Sequence, residues 1–266
     1  MKKRMKTTYR KDSFKGNVVL VTGAGNGIGK ACAIRFAQEG ATTIICDIDK
    51  EGLKKTAKMV KRYNVVDESY IFDISKKQEV DEAVNKILNK YMRVDVLLYS
   101  AGVIVENSFL NISEEEWLKH INVNLNGAFY ITQTVLKKMT ENMFGKIIYI
   151  GSKSGLIGRP NRASYCASKF GLNGLTKALA LEVAEYGITV NSINPGRTES
   201  EMTRRILERR AKLEGKTYDE VKIEYENTVP LKRLAKPEDI ANMAAFLASE
   251  EASYITGECI SVSGGR

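Results

Sequence analysis

Val18-Val19-Leu20-Val21-Thr22-Gly23-Ala24-Gly25-Asn26-Gly27-Ile28-Gly29 is the stretch on which the reading of this chain turns. A short β-branched apolar run ending in turn residues reads as a buried strand. Lys30–Ala37, immediately after it, has helical periodicity. Strand, glycine turn and helix together make a site where backbone N–H groups at a helix N-terminus can meet a pyrophosphate at close range. Gly23, Asn26, Gly27, Ile28 and Gly29 are therefore candidate cofactor contacts. The spacing Gly23-x-x-x-Gly27-x-Gly29 departs from the usual G-x-G-x-x-G fingerprint, so an ordinary glycine-rich turn is the competing reading.

Outward from this unit, strand and helix patterns alternate to the end of the chain. Strands are expected near 17–22, 42–47, 69–72, 94–99, 146–151, 188–194 and 258–263, and helices near 28–39, 50–63, 76–91, 114–142, 161–185 and 237–248. Such alternation predicts an α/β fold, a doubly wound parallel sheet of seven strands with helices on both faces. No Pro/Gly/Ser-rich linker interrupts it, so one domain over 13–266 is expected, and 266 residues at 43% hydrophobic can bury one substantial core. Ser75 with Gln78, Ser113 with Glu116, and Thr217 with Glu220 have capping-box spacing.

Asp47 ends the apolar run Thr42–Cys46, about twenty residues past the turn, where an acid accepts hydrogen bonds from ribose hydroxyls. A carboxylate there repels a 2′-phosphate, and no arginine stands beside it. NAD is expected over NADP. Asp49 is the weaker candidate, because Ile48 has carried the chain past the strand end.

Tyr165-Cys166-Ala167-Ser168-Lys169 places a phenol and an ammonium on one helix face, with Ser152 thirteen residues upstream. A neighbouring ammonium favours phenolate and draws the phenol, ordinarily near pKa about 10, toward neutral pH. By itself the Tyr-x-x-x-Lys spacing fits a solvated helix face as well as a proton-transfer site.

With these motifs the chain resembles the short-chain dehydrogenase/reductase family from about Lys15 to Gly265. Further motifs occur in the family's order: Asp73-Ile74, Asn122-Val123-Asn124-Leu125-Asn126-Gly127, Asn194-Pro195-Gly196 and Pro237-Glu238-Asp239. The resemblance implies a Rossmann-like fold in which Tyr165 is the general acid/base and Ser152 orients the substrate oxygen. Lys169 would lower the pKa of Tyr165 and bind the nicotinamide ribose. Asn124 would hold open a helix so that a water chain reaches Lys169. Ile48, Asp73, Ile74, Ser100, Ala101, Gly102, Pro195, Gly196, Thr198 and Ser200 would complete the cofactor site. The resemblance also implies a homotetramer.

Departures from the family pattern mark this chain. Tyr99-Ser100-Ala101-Gly102 stands where Asn-Asn-Ala-Gly is usual, so Tyr99 is expected to alter cofactor affinity. Ser200 takes the place of a threonine, and Val262-Ser263-Gly264-Gly265 that of Val-Asp-Gly-Gly. Substrate recognition is expected from the loop Lys153–Arg162 and from a lid over 197–229, with helical stretches 200–214 and 217–227 split by Gly215. Lys153, Arg159, Arg162 and Arg197 are the candidate substrate residues, and the three arginines among them point to an anionic substrate, since guanidinium forks suit carboxylate or phosphate. The competing reading pairs Arg159 and Arg162 with acids across a subunit contact.

A secondary alcohol or polyol oxidised with NAD is the leading reaction; reduction of 3-oxoacyl groups on acyl carrier protein and hydroxysteroid oxidation are the alternatives. The basic docking pair of that reductase group would fall near Met143 and Tyr186, and neither is basic. A cofactor-bound protein without turnover is the reading from another class.

Composition sets the remaining limits. The net charge is +9, and six bases (Lys2, Lys3, Arg4, Lys6, Arg10, Lys11) lie in the acid-free residues 1–11; without those six the body carries +3. A basic disordered tail over 1–12 on a near-balanced body is expected, with no nucleic-acid partner. No apolar run follows the tail as in a signal peptide, and no stretch reaches the roughly 18 apolar residues of a membrane span. Cys32, Cys46, Cys166 and Cys259 are scattered, fitting a reducing cytoplasm and no metal. His120, the single histidine, reads as a packed or surface residue and not a catalytic one.

Overall fold

The computed structural model describes residues 12–63 and 68–265. All but the last residue of the expected 1–12 tail lies outside them. The strands are β1 (Val18–Thr22), β2 (Thr42–Asp47), β3 (Glu68–Ile71), β4 (Val96–Tyr99), β5 (Gly145–Ile150), β6 (Ile188–Pro195) and β7 (Cys259–Val262). They form one parallel sheet in the order β3-β2-β1-β4-β5-β6-β7. The helices are α1 (Gly27–Gln38), α2 (Lys50–Val60), α3 (Lys77–Tyr91), α4 (Glu114–Ile121), α5 (Gly127–Glu141), α6 (Ala163–Val183), α7 (Glu201–Glu214), α8 (Tyr218–Asn227) and α9 (Pro237–Ala248).

Two apolar cores explain the two helical layers. One joins the sheet to α3, α5 and α6 through Leu97, Tyr99, Ile131, Val135 and Leu172. The other joins its opposite face to α1 and α9 through Val19, Val21, Phe36, Leu98 and Ala244. Central strands buried on both faces are near-continuously apolar, which is why Val18–Val21 of β1 and all of β4 read as unbroken runs. Phe14 anchors the entry to β1: it is buried edge-on against Phe36 at 5.1 Å, and its N–H donates to Glu39 O at 2.8 Å.

Three local expectations change. The helix expected over 114–142 is divided, because Asn122–Asn126 takes π geometry between α4 and α5. Ser75 does not cap α3; its hydroxyl donates instead to Asp73 Oδ1 at 2.7 Å, a charged acceptor two residues away, and Lys76 stands at the cap. Ser113 accepts the Glu116 N–H at 3.1 Å, but the Glu116 carboxylate takes the Asn107 amide rather than closing the box. Only Thr217 and Glu220 complete both halves. Among the described residues no helix is long and apolar enough to cross a membrane.

Candidate active site

A parallel sheet changes winding direction between β1 and β4, and a crevice opens there at the strand C-termini. In this chain it is a cavity of about 780 Å³. Gly23, Asn26, Gly27 and Ile28 line it from the first turn, and Asp47 and Ile48 from the end of β2. Asp73, Ile74, Ser100, Ala101 and Gly102 follow, and Ser152, Tyr165, Lys169, Pro195, Gly196, Thr198 and Ser200 close the other end.

The glycine turn has two different demands. At Gly29 an added Cβ would stand 2.1 Å from Gly23 O, so the helix packs where only glycine fits. At Gly27, φ is +53° and an added Cβ would meet nothing within 4 Å, so this backbone faces open cavity. Gly29 therefore supports the turn without lining the cavity. Thr22 ties the turn to β4: its Oγ1 accepts the N–H groups of Ser100 at 3.0 Å and Ala101 at 3.2 Å.

Asp47 Oδ2 accepts the Gly25 N–H at 2.7 Å and Oδ1 the Asp49 N–H at 2.9 Å, which aims the carboxylate along the turn. Asp49 is spent elsewhere. It caps α2 through Gly52 N–H at 3.0 Å and takes the Asn26 amide at 3.0 Å.

At the far end, Lys169 is buried and its Nζ donates to Ile150 O at 2.9 Å, 5.9 Å from the Tyr165 ring centroid. Burial draws the Lys169 ammonium down to about 8. Tyr165 lines the same end of the cavity as Ser152. Burial pushes its phenol up, while the Ser152 hydrogen bond and the Arg162 guanidinium pull it back. Desolvation of the phenolate is the largest influence on Tyr165. Ser152 is held from behind: its N–H donates to Asn194 Oδ1 at 3.0 Å, which also accepts from Asn173 at 3.0 Å.

Asn124 sits in the π segment. Its amide donates to Val103 O and Ser168 Oγ, both at 3.0 Å, and its Oδ1 accepts the Val103 N–H at 2.8 Å. It lies behind the cavity wall, where Asn122 and Val123 are the lining residues.

The expected substrate bases do not line the cavity. Arg162 Nε donates to Glu106 at 2.6 Å, so it pairs with an acid of its own chain. Arg197 lies over the Tyr225 ring at 3.4 Å and donates to Tyr225 O at 2.8 Å, turned toward α8. Lys153 and Arg159 lie on the loop between Ser152 and Tyr165. The segment expected to be a lid has its two helices, broken at Gly215 with φ +64°; Arg210 of α7 pairs with Glu224 of α8 at 2.8 Å, and Lys216 between the helices pairs with Glu224 at 2.7 Å. Its mouth adds Glu201 and Thr203 to the lining, and Lys119 enters from α4. No spacing in the sequence singled these three out. Tyr99 also departs from expectation: it is fully buried in the core and does not touch the cavity.

A family model described as "Enoyl-(Acyl carrier protein) reductase" matches residues 23–266. The 3-oxoacyl-[acyl-carrier-protein] reductase FabG of Thermotoga maritima is 38% identical over 252 residues, covering 95% of this chain and 98% of the relative. The chain belongs to the short-chain dehydrogenase/reductase family. It is an oxidoreductase of that family. FabG of Pseudomonas aeruginosa is 35% identical over 95% of this chain and 98% of its own length. Among solved structures, a variant of actinorhodin polyketide ketoreductase with NADPH superposes with a TM-score of 0.90 at 35% identity, over 94% of this chain and 96% of that one. NAD+-bound xylitol dehydrogenase superposes with a TM-score of 0.89 at 31% identity, over 95% and 99%.

Proposed function

We propose that this short-chain dehydrogenase/reductase interconverts a secondary alcohol, of the polyol or hydroxyacid kind, and its ketone, with NAD(H) as cofactor. The observation that carries the reading is the meeting of Ser152, Tyr165 and Lys169 at one end of a cavity whose other end holds the Gly27 turn and the Asp47 carboxylate. The open cradle at Gly27 suits a pyrophosphate, and Asp47 suits an adenosine ribose with a free 2′-hydroxyl. A bound nicotinamide would accept or supply the hydride.

In the oxidising direction the Tyr165 phenolate takes the hydroxyl proton of the substrate. Ser152 donates a hydrogen bond to the same oxygen, stronger as negative charge develops there. Lys169 stabilises the phenolate and would donate a hydrogen bond to the nicotinamide ribose. In the reducing direction Tyr165 returns its proton to the carbonyl oxygen. Asn194 and Asn173 keep Ser152 in place, and Asn124 keeps Ser168 and its helix in register.

Reduction of 3-oxoacyl groups is the second reading, favoured by relatives named for that reaction. Asp47 argues against NADPH, and Met143 and Tyr186 supply no positive charge for an acidic carrier protein. The deciding experiment is a panel of secondary alcohols, polyols, hydroxyacids and 3-oxoacyl thioesters, each with NAD(H) and NADP(H), followed by nicotinamide absorbance. Turnover of an alcohol with NAD supports the first reading. Turnover confined to 3-oxoacyl thioesters with NADPH supports the second and overturns the first.

A further inference from the structure

Tyr99 ends β4 where the family usually carries asparagine. It is fully buried, edge-on to Tyr149 at 6.3 Å, and its hydroxyl donates to the Val123 carbonyl. Val123 belongs to the π segment Asn122–Asn126. There the Gly127 N–H reaches back five residues to Asn122 O. In an α-helix it would have bonded Val123 O, four residues back. The widened register withdraws that donor from Val123, and Tyr99 supplies one from the sheet. Burial holds the Tyr99 phenol far above its ordinary range, so the hydroxyl keeps its proton. Gly127 makes the room: a Cβ there would stand 2.5 Å from the Tyr99 hydroxyl oxygen.

Asn124, one residue on from Val123, carries the consequence. Its amide holds Ser168 Oγ at 3.0 Å, and that hydroxyl donates to Tyr165 O at 2.7 Å. Asn124 Oδ1 and Lys169 Nζ both flank Gly102, at 3.3 and 3.6 Å from where its Cβ would be. We infer that Tyr99 is a positioning residue: its hydroxyl fixes the π register of Asn122–Asn126 and, through Asn124, the placement of Tyr165 and Lys169. Its activity readouts rest on the hydride-transfer reading above; its structural readout does not.

Tyr99→Phe keeps the ring and deletes the donor. Hydrogen exchange of the Gly127 and Ala128 amides is expected to speed about tenfold in the full chain. Turnover should fall about tenfold with substrate KM and NADH Kd within twofold, and the pH profile of kcat should shift. Gly127→Ala crowds the hydroxyl without removing it and should repeat these effects, with the double variant no worse than the poorer single one. It also answers the question if Tyr99→Phe folds poorly. Unchanged exchange at 127–128, or a lower Tm with wild-type kcat and pH profile, would show Tyr99 to be core filling only and overturn the inference. If the native enzyme turns over nothing in the panel, the hydride-transfer reading falls, and the exchange data alone decide the role of Tyr99.

Discussion

At the scale of single residues, Asp47 and His120 show how position outranks type. Asp47 and Asp49 are two residues apart, yet Asp49 is consumed by Gly52 and Asn26 while Asp47 faces the cavity. Asp47→Ala is expected to narrow the NAD-over-NADP preference at least about tenfold, a change of about 1.4 kcal/mol, measured as the ratio of kcat/KM values. A native preference for NADP would contradict the cofactor assignment. His120 is fully buried, edge-on to Tyr165 at 6.0 Å. Its Nε2 accepts the Val105 N–H at 2.9 Å, and Nδ1 faces Glu116 O and Ser164 Oγ at 3.0 Å each, so the neutral ring carries its proton on Nδ1. Burial lowers its pKa. A histidine lowered in the folded state contributes stability that is whole above its unfolded pKa, about 6.5, and is lost as the pH falls below that value. His120→Gln should therefore flatten the fall in Tm as the pH drops below about 6.5; an unchanged slope would remove His120 from the acid response. The sequence showed one histidine on a helix and so supported packing, but its place beside Tyr165 depends on the 103–107 segment folding back, which no local pattern encodes.

Among the elements, the helix pair α7 and α8 is where sequence and structure agree most closely and where the contacts of a residue changed most. Gly215 between two helical runs, with a capping box at Thr217, gave both helices correctly, since breaks and caps are local chemistry. Arg197 follows the Pro195-Gly196 turn and was expected to face an anion; instead it clamps Tyr225 of α8. Arg197→Ala is thus expected to speed hydrogen exchange over 201–227 several-fold and to raise KM alike for neutral and charged substrates. A rise confined to anionic substrates would return Arg197 to the substrate pocket. The π segment was less legible: its residues fit one long helix, and the Val123 carbonyl in it takes its hydrogen bond from Tyr99, more than twenty residues back in the sequence. Tyr99 itself was ambiguous because β4 is apolar on both faces, so alternation gave no phase to say which way position 99 points.

For the whole molecule, the seven-strand parallel sheet was legible in the strand and helix alternation, but its order β3-β2-β1-β4-β5-β6-β7 was not, because several doubly wound orders share that alternation. What the fold carries for its site is a cost: Lys169 is an ammonium in the interior, drawn down to about 8. The unfolded chain binds that proton up to about 10.5, so this group makes the fold gain stability as pH rises from about 8 to 10.5 and carries its full penalty below 8. Lys169→Met should raise Tm at pH 7 by several degrees, with the advantage shrinking above pH 8; a lower Tm at every pH would show the Ile150 hydrogen bond to outweigh the burial. The central claim is that the cavity carries out proton transfer through Tyr165. Its most direct test is Tyr165→Phe, measured beside the native enzyme for turnover by NADH absorbance and for NADH binding by fluorescence. The account requires turnover to fall on the order of 10² to 10⁴-fold while NADH binds within a few-fold of native; turnover near the native value in the phenylalanine variant would contradict it.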